Sequence, residues 1–233
     1  MGVPEQIVTE LAKLNNSTIF VETGTYHGGT TRWASKHFET VHTIERAESL
    51  FNAHSRELVK LPGVTPHQGD SREVLPRILE DIGDRSAVFW LDGHWSGGET
   101  AGADDECPIL GELAILSGRT EDIILIDDAR LFLCAPPLPH KASQWPTIPD
   151  IVEAAARPNG QPLMQIVDDV LFMVPITEAL RDHLISYSQR RANQFWREFA
   201  EIQRNNCTHS QRSQLPQIIS KLSSKIHRKT RAG

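Results

Sequence analysis

Short apolar runs separated by stretches of helical spacing recur through the first two thirds of the chain. Ile19–Glu22, Val41–Glu45, Val64–Gln68, Ala87–Leu91 and Ile123–Ile126 read as strands buried on both faces. Between them, Thr30–His37, Ala47–Leu58, Ser71–Ile82 and Cys107–Leu116 carry the spacing of helices, with the Ser71 hydroxyl placed to cap the third. Strands alternating with helices predict βαβ units, hence a doubly wound α/β fold around a mostly parallel sheet. The pattern changes after residue 133. Five prolines in residues 134–149 predict a long irregular loop, and Pro149 then opens a helix running through Ala156. Two apolar segments flanking Asp168-Asp169 within Met164–Val174 predict a terminal antiparallel hairpin. Leu180, Leu184, Phe195, Phe199 and Ile202 fall at near-helical spacing across residues 177–204. The expected organisation is an α/β domain over residues 1–176, a helical extension over 177–206 and a flexible tail over 207–233. The extension would pack on the domain or on a second copy of the chain.

Composition narrows the class. Of 233 residues, 39% are hydrophobic and 23% charged, the balance of a soluble globular protein. No apolar run approaches the length of about 20 residues that crosses a bilayer. The start of the chain lacks a basic segment followed by an apolar one, so no secretory signal is expected. Cys107, Cys134 and Cys207 have no metal-type spacing, which suits free thiols in a reducing, cytoplasmic setting. The net charge is -6, yet all the acids lie in residues 1–220, while Lys221, Lys225, Arg228, Lys229 and Arg231 crowd the end. Such a body does not suit nucleic acid. The basic tail reads as a solvated terminus, with phosphate or anionic lipid contact as the alternative.

The chemistry concentrates at strand ends. The turn Glu22-Thr23-Gly24-Thr25-Tyr26-His27-Gly28-Gly29-Thr30-Thr31 follows the first strand, where an open parallel sheet binds nucleosides. It departs from the G-x-G-x-x-G of dinucleotide enzymes, and no P-loop lysine is present. A carboxylate at its start repels pyrophosphate and suits a cationic, phosphate-free nucleoside such as S-adenosylmethionine. Gly24 and Gly28 would let the backbone approach the ligand. Glu45 ends the second strand at the distance from the glycines where an acid accepts from ribose hydroxyls. Asp70 and Ser71 follow the third, where they can meet adenine.

The fourth and fifth strands end in Asp92-Gly93-His94-Trp95 and Asp127-Asp128. Three converging carboxylates call for neutralisation, and magnesium bound by Asp92, Asp127 and Asp128 is the economical answer. Hydrogen-bonded acids capping loops are the alternative. His94 is the candidate general base, with metal ligation or packing against Trp95 as its other readings. Most of His27, His42, His54 and His67 are expected at the surface, with His27, inside the turn, a weaker candidate for lining the pocket. No nucleophile elbow is present.

These motifs, in this order, resemble those of class I methyltransferases, and within them metal-dependent O-methyltransferases of the catechol and antibiotic-sugar types. The resemblance covers about residues 17–130, with the hairpin fitting the family's last two strands. It implies a Rossmann-like fold and methyl transfer from S-adenosylmethionine to a small-molecule hydroxyl, on a sugar or phenol. Glu22, Gly24 and Tyr26 would contact the methionine part, Glu45 the ribose, Asp70 and Ser71 the adenine. Asp92 would serve both cofactor and metal. Catechol-type enzymes carry a lysine base after the His-Trp pair and lack Gly93; here Ser96 and Gly97 follow, which implies a different base, with His94 the candidate, and a different acceptor. The glycine- and acid-rich segment Ser96–Glu106 would form a substrate-side lid. Trp95, Phe132 and Trp145 would stack on an acceptor ring or pack internally. Two other readings stand beside this one: a metal-dependent hydroxylase or hydrolase using Asp92, His94 and Asp127, and a cofactor-binding module without turnover whose residues 134–233 serve assembly.

Overall fold

The structure, a computed structural model, describes residues 2–229 except Glu99, Ala135 and Asn159, with side chains described through Arg204. Strands β1 (Ile19–Thr23), β2 (Thr40–Glu45), β3 (Val64–Gln68), β4 (Ala87–Leu91), β5 (Ile123–Ile126), β6 (Leu163–Val167) and β7 (Val170–Val174) form one sheet in the order β3-β2-β1-β4-β5-β7-β6. β1 to β5 pair in parallel, whereas β7 runs antiparallel to both β5 and β6. The order reverses between β1 and β4, which opens a crevice beyond their carboxyl ends. The expected hairpin is present. Asp168 and Asp169 take φ of 49° and 68°, the left-handed pair that a tight two-residue hairpin turn requires.

Helices α1 (Glu5–Leu14), α2 (Gly29–Ala34), α3 (Glu48–Leu58), α4 (Ser71–Ile82), α5 (Ile109–Leu116), α6 (Arg130–Leu133) and α7 (Ile148–Ala154) accompany the sheet, with a single tight turn at Ala142–Gln144, and a last helix, α8, covers Glu178–Lys229. Alternate strand residues feed two cores. Val21, Ile44, Phe89, Leu91 and Ile124 pack with Leu75 and Ile78 of α4 and Leu113 of α5. On the other face Phe20, Val41, Trp90 and Phe172 pack with Ile7, Val8 and Leu11 of α1 and with Leu180 and Leu184. Helix α1 was not among the expected elements, although Ile7, Val8, Leu11 and Ala12 form its buried stripe. The α4 cap also differs from expectation: Asp70, not Ser71, accepts the Arg72 backbone N–H.

The chain divides into two compact units, Met1–Tyr187 and Ser188–Gly233. Helix α8 enters the second, where Phe195, Trp196 and Phe199 form an exposed aromatic cluster. The basic side chains of Lys221–Arg231, and Cys207, lie outside the described residues. Among the described residues no helix is long and apolar enough to cross a membrane.

Two of the histidines expected at the surface are instead paired at the sheet. His42 is buried on β2, and its Nδ1 lies 3.0 Å from His67 Nε2, the rings stacked at 5.3 Å. Burial pushes both pKa values down, His42 to about 4, and the neighbouring His67 adds to the effect at His42. The unfolded chain therefore binds more protons than the folded one below pH 6.5. Stability from this pair is complete above that value and is lost as pH falls toward 4, by on the order of 3 kcal/mol for His42. Thermal melting of wild type and His42→Gln at pH 7 and pH 4.5 should show a shallower acid loss in the variant.

Candidate functional site

Every strand from β1 to β4 ends at one cavity of about 480 Å³. Its first wall is the β1–α2 turn. Gly24 has φ of 84°, and a Cβ there would lie 2.2 Å from the Asp92 carbonyl oxygen, so only glycine allows the turn to cross the end of β4. The turn is pinned to β2 by Gly24 and Thr25 N–H groups donating to the Ile44 carbonyl. Tyr26 takes the left-handed region, φ 49°, and its N–H donates to Glu45 Oε2 at 2.9 Å. Glu45 Oε1 accepts from the Ala47 N–H at 2.7 Å. Each Glu45 oxygen is thus held by one amide, with lone pairs left over beside the cavity.

Gly24, Tyr26, Glu45, Asp70, Ser71 and Asp92 all line this cavity, as does His94. Two of the residues expected at a cofactor do not. Glu22 is buried behind the wall, accepting from Thr31 Oγ1 at 2.5 Å and Thr43 Oγ1 at 2.7 Å. Burial pushes its carboxyl up to about 7, against the pull of those hydroxyls. Gly28 starts α2 with φ of 71°, and a Cβ there would lie 2.7 Å from Leu58 Cδ2, so this glycine fits α2 against α3. Asp70 receives Arg72 Nε at 2.9 Å and Nη2 at 2.8 Å, with Arg46 Nε 3.6 Å away. These partners hold its carboxyl below the usual range, the Arg72 hydrogen bond foremost.

Of the acids beyond β4 and β5, Asp128 is paired with basic side chains. His94 Nε2 lies 3.0 Å from Asp128 Oδ2, and Asp128 Oδ1 accepts from Arg130 Nη1 at 2.6 Å. Arg130 also bridges to Asp169. Asp128 adopts φ of 54° to make these contacts, and its backbone N–H donates to Asp127 Oδ1 at 2.8 Å. The His94 bond, followed by Arg130, keeps the Asp128 carboxyl far below its ordinary pKa. Asp92 is pushed up to about 7, chiefly by burial, with Asp127 and Asp128 adding to it; burial also raises Asp127. For His94, burial favours the neutral ring, but the Asp128 bond and the three carboxylates outweigh it and raise the pKa. With Nε2 engaged by Asp128, the free ring nitrogen is Nδ1, buried without a hydrogen-bond partner and 3.7 Å from Asp92 Oδ1.

Asp92, Asp127 and Asp128 converge, yet Asp128 is turned onto His94 and Arg130. Among the described residues no group of three or more His, Cys, Asp or Glu is placed to hold a metal ion. The same holds for Asp92, His94 and Asp127 as an iron site.

Two buried acids, Glu106 and Glu112, were not among the expected site residues. Glu106, expected as an acid of the substrate-side lid, is buried and accepts from Trp145 Nε1 at 2.8 Å and Lys141 N–H at 2.9 Å, with His140 Nδ1 at 3.1 Å. It anchors the proline-rich loop so that Trp145 packs edge-on to His94, centroids 5.4 Å apart. Phe132 packs on the other side of Trp145 and Trp95 against His140. Glu112 is fully buried in α5 with neither carboxylate oxygen hydrogen-bonded, and burial pushes its carboxyl up to about 7. An acid inside the apolar run Ile109–Leu116 was the one available hint. Glu99 of the expected lid lies outside the described residues.

No family model matches the chain. No curated protein matches it either. Solved structures do. A methyltransferase from Podospora anserina with bound S-adenosylhomocysteine aligns over 75% of this chain and 78% of its own, at 19% identity and a TM-score of 0.51. A Staphylococcus aureus protein assigned as a caffeoyl-CoA O-methyltransferase aligns over 75% of this chain and 84% of its own, at 12% identity and a TM-score of 0.50. With its parallel sheet, closing hairpin and cavity at the strand-order reversal, the chain shares the Rossmann-like fold of these two structures.

Proposed function

We propose that the protein is an S-adenosylmethionine-dependent O-methyltransferase acting on a small-molecule hydroxyl. The observation that carries this reading is the convergence of Glu45, Asp70, Ser71, Asp92 and His94 from three strand ends on one cavity. Its volume suits a ligand of nucleoside size, and its acidic wall suits a cationic ligand without phosphate. Both similar structures named above are methyltransferases, one of them holding the spent cofactor. The cofactor supplies an activated methyl group on a sulfonium. The chain supplies orientation and proton transfer. Glu45 accepts from the ribose hydroxyls. Asp70 and Ser71 border the adenine end, and Tyr26 and Asp92 border the methionine end. His94 Nδ1 takes the acceptor's proton, while Asp128 holds the ring through Nε2 and stabilises the imidazolium that forms.

The donor set does not fit a resident divalent ion, because Asp128 already serves His94 and Arg130. Chelator treatment should leave methyl transfer within about twofold of the untreated rate, and a magnesium-restored loss would return the three carboxylates to metal binding. The acceptor is a sugar or phenol, and the exposed Phe195, Trp196 and Phe199 supply the apolar face for self-association through α8. Calorimetric titration with S-adenosylmethionine tests the reading directly: saturable binding at one site per chain is expected, and no binding overturns it.

A further inference from the structure

One guanidinium joins the two sides of the cavity. Arg72, in the first turn of α4, places Nε and Nη2 on Asp70 as a bidentate pair, and Nη2 also reaches Asp105 Oδ2 at 2.5 Å. Asp70 belongs to the wall formed by the end of β3, whereas Asp105 closes the loop whose Ser96, Gly97 and Thr100 form the opposite wall. The two ends of that loop are tied to each other at its base, the Trp95 N–H donating to the Glu106 carbonyl at 2.7 Å. A second, independent feature serves the same side chain. Gly111 lies inside α5 without a left-handed φ, so its backbone does not require glycine, and helix interiors disfavour it. A Cβ at this position would fall 2.6 Å from Arg72 Cδ and 3.1 Å from Cγ. Gly111 leaves the groove along which the arginine stem passes.

We propose that Arg72 is a positioning residue that latches the 95–106 loop to the nucleoside side of the cavity, with Gly111 as the groove that admits it. This rests on the cofactor reading above. Arg72 acts through Asp70 and Asp105 rather than on the ligand. Pairs this exposed add little to global stability, so the latch governs the loop and the residence of the ligand beneath it. Lysine, a point charge without the fork, can keep only one of the two partners.

The test compares full-length wild type with Arg72→Met, Arg72→Lys, Asp105→Asn and Gly111→Ala. In ligand-free protein, hydrogen exchange of the peptides spanning residues 95–106 should quicken at least tenfold in Arg72→Met and Asp105→Asn. S-adenosylhomocysteine should dissociate about tenfold faster from these two and several-fold faster from Gly111→Ala, with Arg72→Lys between Arg72→Met and wild type. The melting temperature of Asp105→Asn should stay within about 2 °C of wild type. Unchanged loop exchange in Asp105→Asn and Gly111→Ala overturns the latch, even if Arg72→Met fails to fold. Failure of wild type to bind S-adenosylhomocysteine instead overturns the cofactor reading, and loop exchange without ligand still decides the latch.

Discussion

Glu45→Ala will weaken S-adenosylmethionine binding by about a hundredfold. The carboxylate is pinned through one oxygen by the Tyr26 amide and through the other by the Ala47 amide. It meets the ligand already oriented, and its remaining lone pairs can take two ribose hydroxyls. Hydrogen bonds to a charged group contribute about 1.5–3 kcal/mol each, and a pair sharing one carboxylate yields less than twice that, so a net loss of about 3 kcal/mol is expected. Glu45→Gln retains an acceptor without the charge and should lose about tenfold. Calorimetric dissociation constants for the three proteins check the order. A Glu45→Ala constant within threefold of wild type would place the ribose elsewhere.

His94→Gln should lower kcat by about 10² to 10⁴, the usual contribution of a positioned base, while leaving cofactor affinity within a few-fold. The pH profile carries the diagnostic. His94 has its pKa raised, so the neutral ring that can accept a proton appears only above the ordinary histidine value of 6.5. Wild-type kcat should climb as pH passes through that raised value and then level off; the His94→Gln limb should be flat. Asp128→Asn removes the bond that does most to raise the histidine, so the limb should move to lower pH as the plateau drops. Initial rates between pH 5.5 and 9 decide this. A His94→Gln profile that keeps the wild-type limb would assign the proton to another group.

The central strands β4 and β5 were legible in the sequence because each is a short run such as Ala87–Leu91, in which burial on both faces leaves no polar interruption, whereas the edge strand β3 is partly exposed. Asp168-Asp169 announced the hairpin for a similarly local reason, since both residues tolerate left-handed backbone. Strand-end chemistry was legible as position, which is how Glu45, Asp70 and Asp92 were found before their cavity was seen. What neutralises a charge was not legible. Whether Asp128 faces a metal or His94 depends on its own φ and on Arg130 and Asp169, a residue 41 positions beyond it in a different element. Glu106 was unreadable for the same reason, because its partners arrive from a loop more than 30 residues away. The glycines divided by cause. Gly24 stands at the cavity because β4 passes under it, whereas Gly28 answers to Leu58. Spacing alone does not distinguish a glycine that admits a ligand from one that admits a leucine.

Tyr26 and Asp128 hold left-handed backbone that costs a non-glycine residue on the order of 1 kcal/mol each. The first presents its amide to Glu45 and the second its carboxylate to His94. A screen that rewards heat resistance alone will therefore drift toward glycine or asparagine at both positions, relaxing the chain where its chemistry is assembled. Thermostability and turnover are set against each other at these two residues, and a sturdier descendant of this protein will have to find its gains elsewhere, in α1 or along the outer strands.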